Sequence, residues 1–223
     1  WNTFVGSTAS EYGHAIAADG DGNIYLCGNA DDSWGLPIRD HSGVRDAFVA
    51  KFDSSGELLW HTFLGGEGAD NGNDVDVDAN GNIYVTGDSA ATWGSPVRVH
   101  AGYWDAFVAK LDSDGSLVWN TFLGQSNVDY GRSIAADGNG SVYAAGDSDA
   151  PWGSPVREHS GDGYSDAFAA RLDGSGGLVW NTFVGGASHD DGNTIVAHGS
   201  SWVCLAGLSY NSWGSPIDRK SVV

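Results

Sequence analysis

Side chains in the stretch 105–124, DAFVAKLDSDGSLVWNTFLG, alternate between apolar and polar on both sides of a short turn. The apolar or small residues of this pattern are Phe107, Ala109 and Leu111 before the turn and Leu117, Trp119 and Thr121 after it. A period of two residues is typical of β-strands with one buried face, and the Asp and Gly residues between the segments favour a tight turn. The stretch therefore predicts a β-hairpin.

The same hairpin pattern recurs along the chain. Residues 46–65 read DAFVAKFDSSGELLWHTFLG and residues 166–185 read DAFAARLDGSGGLVWNTFVG, while residues 1–6, WNTFVG, contain only its second half. Two series of equivalent tryptophans give the same repeat of about 60 residues: Trp1, Trp60, Trp119 and Trp180, and Trp34, Trp93, Trp152 and Trp213. One hairpin cannot bury its own apolar face, so successive repeats are expected to stack against one another.

Each repeat is predicted to contain four strands. In the second repeat, strands at about 73–78 and 82–87 flank an Asn-Gly turn, which tolerates positive φ and is a strong hairpin signal. A long loop, residues 88–104, then leads to the hairpin at 105–124. Four-stranded units of this length are typical of propeller blades, whereas the rungs of a β-solenoid, the main rival, are shorter. The sequence predicts an all-β, single-domain β-propeller over residues 1–223, with units of about 1–60, 60–119, 119–180 and 180–223.

The last repeat is incomplete, since the chain reaches Val223 before another Asp-Ala-Phe hairpin appears. In a closed four-bladed ring, Arg219–Val223 would supply a degenerate third strand of the last blade, and Trp1–Gly6 would supply its fourth strand. Two alternatives stay open at this point. The chain forms part of a larger ring, or two chains join into one ring.

Two strings, GNDVDVDANGNIYVTGDS at 72–89 and DAFVAKLDSDGSLVWNTFLG at 105–124, resemble the SBBP repeat, a bacterial family. The resemblance extends over essentially the whole chain and implies a β-propeller. It also implies an extracellular or cell-surface location, since such repeats are found mainly in secreted and surface proteins, and it implies no shared catalytic motif. The long loop departs from the usual pattern, because WGSPVR takes the place of a shorter segment of the Asp-Phe-Pro type.

The net charge of −19 results from ten Lys and Arg against 29 Asp and Glu. A surface of this charge repels the phosphates of nucleic acids and anionic membranes, and no apolar run approaches the length of a membrane span. We therefore expect neither a nucleic-acid partner nor direct membrane insertion. Cys27 and Cys204 are too few for a disulfide scaffold, and we expect two buried thiols. A disulfide between them is the alternative if the first and last units meet.

The long loop contains the pattern that most resembles a ligand site. Trp, Pro, Arg and His recur at fixed spacing as WGxPxRxH in three repeats, and the fourth repeat keeps the tryptophan. The candidate ligand-binding residues are Trp34, Arg39, His41, Trp93, Arg98, His100, Trp152, Arg157, His159 and Trp213. An aromatic face, a forked guanidinium donor and an imidazole suit a sugar ring or a small carboxylate, and several copies on one rim would bind multivalently. The alternative is structural: the tryptophan packs on proline, and the arginine pairs with an acidic neighbour.

A carboxylate stands two residues before the glycine of each predicted first strand: Glu11, Asp70, Asp129 and Asp190. If the first strand is innermost, these side chains lie near an axial channel, where oxygen ligands from several blades suit a hard cation such as Ca²⁺. The alternative is that each carboxylate caps its own turn. Ca²⁺ is the one cofactor that the sequence brings into consideration.

Catalysis normally uses one asymmetric set of groups rather than equal copies in every repeat. Among the unrepeated polar residues, His14 and Arg132 are the candidates for a hydrolase or lyase site in the channel, but no nucleophile elbow, zinc motif or phosphate loop accompanies them. We therefore predict a non-catalytic extracellular binding or adhesion module that recognises a glycan or another surface component through the WGxPxRxH loops. The third alternative is a structural spacer or assembly unit of a surface protein, with self-association or continuation in a larger propeller.

Overall fold

The computed structural model describes residues 1–199 and 202–214 of the chain. Within these residues every helix or strand element is a β-strand. The strands are β1 (Glu11–Ala18), β2 (Ile24–Ala30), β3 (Asp46–Phe52), β4 (Leu58–Leu64), β5 (Asp70–Val77), β6 (Ile83–Ser89), β7 (Asp105–Leu111), β8 (Leu117–Leu123), β9 (Asp129–Ala136), β10 (Val142–Ser148), β11 (Asp166–Leu172), β12 (Leu178–Val184), β13 (Asp190–His198) and β14 (Trp202–Ser209). The described ranges contain no helix long and apolar enough to cross a membrane.

The strands form three four-stranded antiparallel sheets and one two-stranded sheet. Sheet 1 contains β1–β4, sheet 2 contains β5–β8, sheet 3 contains β9–β12, and sheet 4 contains β13 and β14. Each strand pairs with its neighbour in sequence, so every sheet is a simple meander. This arrangement confirms the predicted all-β architecture of repeated four-stranded units.

Among the described residues the sheets do not close into a ring. Residues 1–6 form no strand, and within the same ranges β14 has no strand partner on its outer edge. The expected closed ring, with Trp1–Gly6 as the fourth strand of the last blade, is therefore not observed. Arg219–Val223, predicted as the third strand of that blade, lie outside the described residues. The described array consists of three complete sheets followed by a half sheet.

The two cysteines are free thiols. Cys27 is buried, as expected, and burial raises the pKa of its thiol. Cys204 is exposed, so the expectation of a second buried thiol is wrong. The reason is that no complete sheet of the described array follows sheet 4 and covers its face.

Aspartate and glycine fix the hairpin turns. Between β7 and β8, the Asp112 carboxylate accepts hydrogen bonds from the backbone N–H groups of Asp114 and Ser116, at 3.0 and 2.9 Å. Gly115 completes the turn with a φ of 83°, which glycine adopts without steric cost. The Asp and Gly signals in the sequence thus identify these turns through local chemistry.

The hydrophobic cores lie between consecutive sheets. In the core between sheets 2 and 3, Tyr84 and Trp119 of sheet 2 meet Ile134 and Phe168 of sheet 3. Equivalent clusters occupy the junction of sheets 1 and 2 and the junction of sheets 3 and 4. A further cluster lies on the other face of sheet 1, where Val5 of the N-terminal segment packs against it. Each sheet thus buries apolar side chains against its neighbours, as expected for stacked repeats.

The first strand of sheet 3 approaches sheet 2 closely. Asp74 in β5 accepts hydrogen bonds from the N–H of Ile134 and the hydroxyl of Ser133 in β9, both at 2.9 Å. A Cβ added to Gly131 would lie 2.7 Å from the carbonyl oxygen of Gly87 in sheet 2. The distance between the sheets therefore requires glycine at position 131.

Gly131→Ala is expected to lower the free energy of unfolding by about 1–3 kcal/mol, because the added methyl group would force sheet 3 away from sheet 2. Gly20→Ala is the matched control, since no atom lies within 4 Å of a Cβ added there. We expect the control to stay within about 0.5 kcal/mol of the wild type. Urea unfolding followed by tryptophan fluorescence measures both variants, and equal stabilities would contradict the close approach.

Candidate ligand-binding site at the inner strands

The tryptophans of the first three WGxPxRxH loops are buried in the cores. The rings of Trp34, Trp93 and Trp152 each lie nearly perpendicular to two phenylalanine rings. For Trp93, the ring centroids of Phe107 and Phe122 lie 5.3 and 6.0 Å away. Trp213, next to the half sheet, is exposed. The aromatic faces that would stack on a sugar are therefore occupied in three of the four copies.

Each loop arginine links two consecutive sheets. Arg98 donates from Nη1 to the carbonyl oxygen of Phe122 at 3.0 Å and from Nη2 to that of Gly124 at 2.6 Å. Its guanidinium carbon lies 5.4 Å from the ring centre of Trp152, which belongs to the following repeat, in a cation–π arrangement. The same contacts are made by Arg39 with Trp93 and by Arg157 with Trp213. The arginines thus have a structural role, but with carbonyl groups and a tryptophan in place of the expected acidic partner.

The loop histidines bind the ends of the second strands. Nε2 of His100 lies 3.0 Å from the carbonyl oxygen of Ser89, and its ring meets the Phe122 ring edge-on at 5.4 Å. His41 and His159 make the equivalent contacts. Direct ligand binding by the WGxPxRxH side chains stays a prediction, and it would require the buried indole rings to leave the cores.

The four carboxylates that begin the first strands of the sheets do not form a common site. Asp70, Asp129 and Asp190 are buried, and each accepts a hydrogen bond from the backbone N–H four residues earlier, at 3.0, 3.2 and 2.8 Å. Glu11 accepts a hydrogen bond from the Ser7 hydroxyl at 2.6 Å. In the part of the chain that the structure describes, no group of three or more His, Cys, Asp or Glu side chains is arranged to hold a metal ion. The turn-capping alternative accounts for these contacts, and Ca²⁺ binding stays a prediction.

Each buried aspartate faces a second aspartate across a glycine. Oδ1 of Asp46 and Oδ2 of Asp70 both lie 2.6 Å from the place that a Cβ at Gly65 would take. The pairing recurs between Asp105 and Asp129 at Gly124 and between Asp166 and Asp190 at Gly185. Burial and the neighbouring Asp46 raise the pKa of Asp70 to about 6, and burial together with Asp105 and Asp149 raises the pKa of Asp129 to about 7. These two carboxyl groups are therefore partly protonated near neutral pH.

A polar surface that differs among the first three repeats lies at the inner strands, which are the first strands of the sheets, β1, β5, β9 and β13, and contact one another from sheet to sheet. His14, Asn73 and Arg132 occupy the β-bulges of β1, β5 and β9, where the pairing with the second strand shifts by one residue. Nδ1 of His14 lies 2.9 Å from the carbonyl oxygen of Gly72, and Nδ2 of Asn73 donates to that of Gly131 at 2.9 Å. Bulges re-aim side chains and often occur at functional sites. The equivalent bulges thus present an imidazole in sheet 1, an amide in sheet 2 and a guanidinium in sheet 3.

Two aspartates of the second strands complete this surface. Asp88 in β6 accepts hydrogen bonds from the side-chain amides of Asn71 and Asn73, at 2.7 and 2.8 Å. Asp147 in β10 accepts a hydrogen bond from Nε of Arg132. Burial raises the pKa of Asp88, while the amide hydrogen bonds and the charges of Arg132 and His14 act in the opposite direction. Groups from sheets 1, 2 and 3 therefore influence one another electrostatically.

Aromatic side chains border the surface. Tyr12 is 52% exposed, and the Arg132 guanidinium lies 5.7 Å from the ring centre of Tyr130. Carboxylates and amides exchange hydrogen bonds with hydroxyl groups, and a tyrosine ring offers an apolar face with a polar tip. This combination suits a polar, uncharged ligand with several hydroxyl groups.

Sequence reasoning found part of this surface. His14 and Arg132 stood out because they are not repeated, but Asp88 and Asp147 were missed because the Gly-Asp-Ser string that contains them looks like part of the repeat. Their position opposite the residues that stand two before the bulge, Asn71 and Tyr130, is the signal that could have identified them. His61, also unrepeated, lies elsewhere: its Nε2 is 2.7 Å from a loop carbonyl oxygen in the repeat of sheet 1.

The family model described as SBBP, a β-propeller repeat, matches the chain at residues 4–33, 59–92 and 118–151. This chain is an SBBP repeat protein. The second and third matched SBBP segments extend from the last strand of one sheet into the first two strands of the next, as residues 59–92 do from β4 through β6. The first matched segment extends from residues that form no strand through β1 and β2. The SBBP segments therefore contain the bulges and the crossings between sheets, and each ends one residue before the tryptophan of a WGxPxRxH loop.

A relative of this SBBP protein is the regulatory protein FlaEY of Caulobacter vibrioides, which is 28% identical over 197 residues. The similarity covers 81% of this chain and 20% of FlaEY. The chain thus spans about one fifth of the length of that relative.

The carboxyl pairs predict a distinctive dependence of stability on pH. The folded-state pKa values of Asp70 and Asp129 lie above the value of about 3.9 for aspartate in an unfolded chain, so the folded protein binds more protons between about pH 4 and pH 7. The stability that comes from protonation is complete below about pH 4 and is lost as the pH rises through the folded-state pKa values.

Asp129→Asn imitates the protonated form and is expected to flatten the fall in Tm between about pH 5 and pH 8. Differential scanning calorimetry across this range measures the slope. Asp114→Asn in an exposed turn is the control and should keep the slope of the wild type. An equal slope in the Asp129 variant and the wild type would contradict the pairing.

Proposed function

We propose that this SBBP repeat protein is a non-catalytic extracellular binding module that recognises a neutral glycan at its inner strands. The ligand surface consists of Tyr12, His14, Asn73 with Asp88, and Arg132. The observation that supports this proposal is the variation of the bulge residue among the first three sheets, on a scaffold that otherwise repeats its contacts. Such a surface distinguishes one ligand from another, whereas equal copies would bind the same group several times.

Charge and rigidity favour a neutral ligand at this surface. The net charge of −19 disfavours anionic polysaccharides as well as nucleic acids. The hydrogen bonds of Asn71 and Asn73 to Asp88 hold these side chains in place before a ligand arrives, which reduces the entropy lost on binding. The WGxPxRxH loops contribute indirectly, because their arginines fix the sheets relative to one another.

A glycan array, followed by calorimetric titration of the best neutral ligand, tests the proposal. Tyr12→Ala and His14→Ala change exposed side chains, and each is expected to weaken binding at least tenfold, about 1.4 kcal/mol. Tyr103→Ala is the matched control, because this exposed tyrosine belongs to a long loop and not to one of the strands that contain the bulges. We expect the control to bind like the wild type.

The outcomes separate the alternatives. Loss of binding in the Tyr103 variant with full binding in the Tyr12 variant would move the site to the long loops. Turnover of a bound glycan that is abolished by His14→Ala would establish the hydrolase or lyase alternative instead.

The similarity to part of FlaEY favours a second candidate function, that of a structural segment within a larger regulatory protein. In that role the repeats would hold other domains apart. If correctly folded protein binds no glycan on the glycan array, the result would support this candidate over the first.

A further inference from the structure

Sheet 1 exposes a position that is buried at every internal junction. Ile16 in β1 is 68% exposed, whereas its counterparts in the three following sheets, Val75, Ile134 and Ile195, are at most 4% exposed. Each of these counterparts belongs to the cluster shared with the preceding sheet. Ile16 therefore marks the face of sheet 1 that is shaped to meet a preceding sheet.

Sheet 4 exposes the complementary face. Val196 in β13 is 54% exposed, whereas its counterpart Ala135 in β9 is 8% exposed. Cys204 is also exposed, although Tyr25, Tyr84 and Tyr143 stand at its position in the other sheets and are buried. Val196 and Cys204 therefore mark the face of sheet 4 that is shaped to meet a following sheet.

A tryptophan marks the outer side of the junction of sheets 1 and 2 and of the junction of sheets 2 and 3. Nε1 of Trp60 donates to the carbonyl oxygen of Ser113 in sheet 2, and Nε1 of Trp119 donates to that of Gly174 in sheet 3. Nε1 of Trp1 makes the equivalent bond to the carbonyl oxygen of Ser54 in sheet 1, at 2.9 Å. Residues 1–6 thus lie against sheet 1 where the outer strand of a preceding sheet would lie.

We propose that the open face of sheet 4 binds the open face of sheet 1 of a second copy, head to tail, as a further junction of the same kind. Ile16 of the second copy lies beside Val196 and Cys204 in this junction, as Ile195 lies in one cluster with Ala135 and Tyr143 at the junction of sheets 3 and 4. Trp1 of the second copy stays on its own sheet 1. It brings residues 1–6 to the outer side of the neighbouring half sheet.

The matching of the two faces favours a second copy as the partner. These two kinds of face already meet at three junctions within the chain, and Ile16 and Val196 stay exposed among the residues that the structure describes. A joint between two different faces either closes into a ring or extends into a filament. The charge of −19 on each copy opposes association and is screened by salt, so assembly is expected to strengthen with ionic strength.

Sedimentation velocity over a range of concentrations tests the proposal. The wild type is expected to assemble, and Ile16→Glu or Val196→Glu alone is expected to give monomers, because each places a charge in the joint. Val118→Glu is the control, since Val118 is 54% exposed on the outer strand β8, and it should assemble like the wild type. Circular dichroism verifies that all variants are folded.

Mixing the two monomeric variants gives the decisive result. The Ile16 variant keeps an intact sheet 4 face, and the Val196 variant keeps an intact sheet 1 face, so the mixture is expected to form dimers and nothing larger. A mixture that stays monomeric would overturn the head-to-tail joint.

The thiol of Cys204 supplies an independent readout. Alkylation of Cys204 is expected to slow at least tenfold in the assembly, while buried Cys27 stays protected throughout. A wild-type monomer with reactive Cys204 at all concentrations would overturn the proposal. A wild-type monomer with protected Cys204 would also overturn it, because the face would then be covered within one chain. None of these results depends on glycan binding.

Discussion

Burial of apolar side chains between consecutive sheets is the interaction on which this fold depends. The phenylalanine rings of sheet 2, such as Phe107, lie in the cluster shared with sheet 1, and those of sheet 3, such as Phe168, lie in the cluster shared with sheet 2. Full burial of one such side chain contributes about 1.5–3 kcal/mol, and a cation–π contact such as that of Arg98 adds about 0.5–2 kcal/mol. Because the junctions resemble one another, stability is expected to follow the number of junctions rather than the properties of any single sheet.

Each junction also accommodates charge in its interior. Burial lowers the pKa of Arg98, while the carboxylates of Asp105 and Asp129 act in the opposite direction. The arginine donates to the carbonyl of Gly124, the glycine over which these two carboxylates meet. Partial protonation of Asp129 reduces the excess negative charge of this group. The sequence presents two separate candidate sites, the WGxPxRxH loops and the carboxylates that begin the first strands. In the structure both are parts of one junction.

The local features of this protein could be predicted from its sequence, and the features that depend on neighbouring sheets could not. The alternation of apolar and polar residues in the strands and the turn at Asp112 and Gly115 involve residues close in the chain. The hairpins and the four-stranded units could therefore be predicted from local sequence. A fixed spacing of the WGxPxRxH residues is expected both of a loop that packs in a core and of a loop that binds a ligand. Only the position of the preceding sheet shows that Trp93 is buried. The meeting of Asp46 with Asp70 depends on the register between two sheets, which no local pattern specifies.

The matched SBBP segments are out of phase with the sheets, since residues 59–92 and 118–151 each extend from the last strand of one sheet to the first two strands of the next. Crossing-over between the gene segments that encode residues 59–92 and 118–151 would delete or duplicate one whole unit. In the product, the last strand of one sheet would still be followed by the first two strands of the next. Every internal sheet of the product would retain four strands. Such genes can therefore lengthen or shorten the array without creating an unpaired edge in its interior.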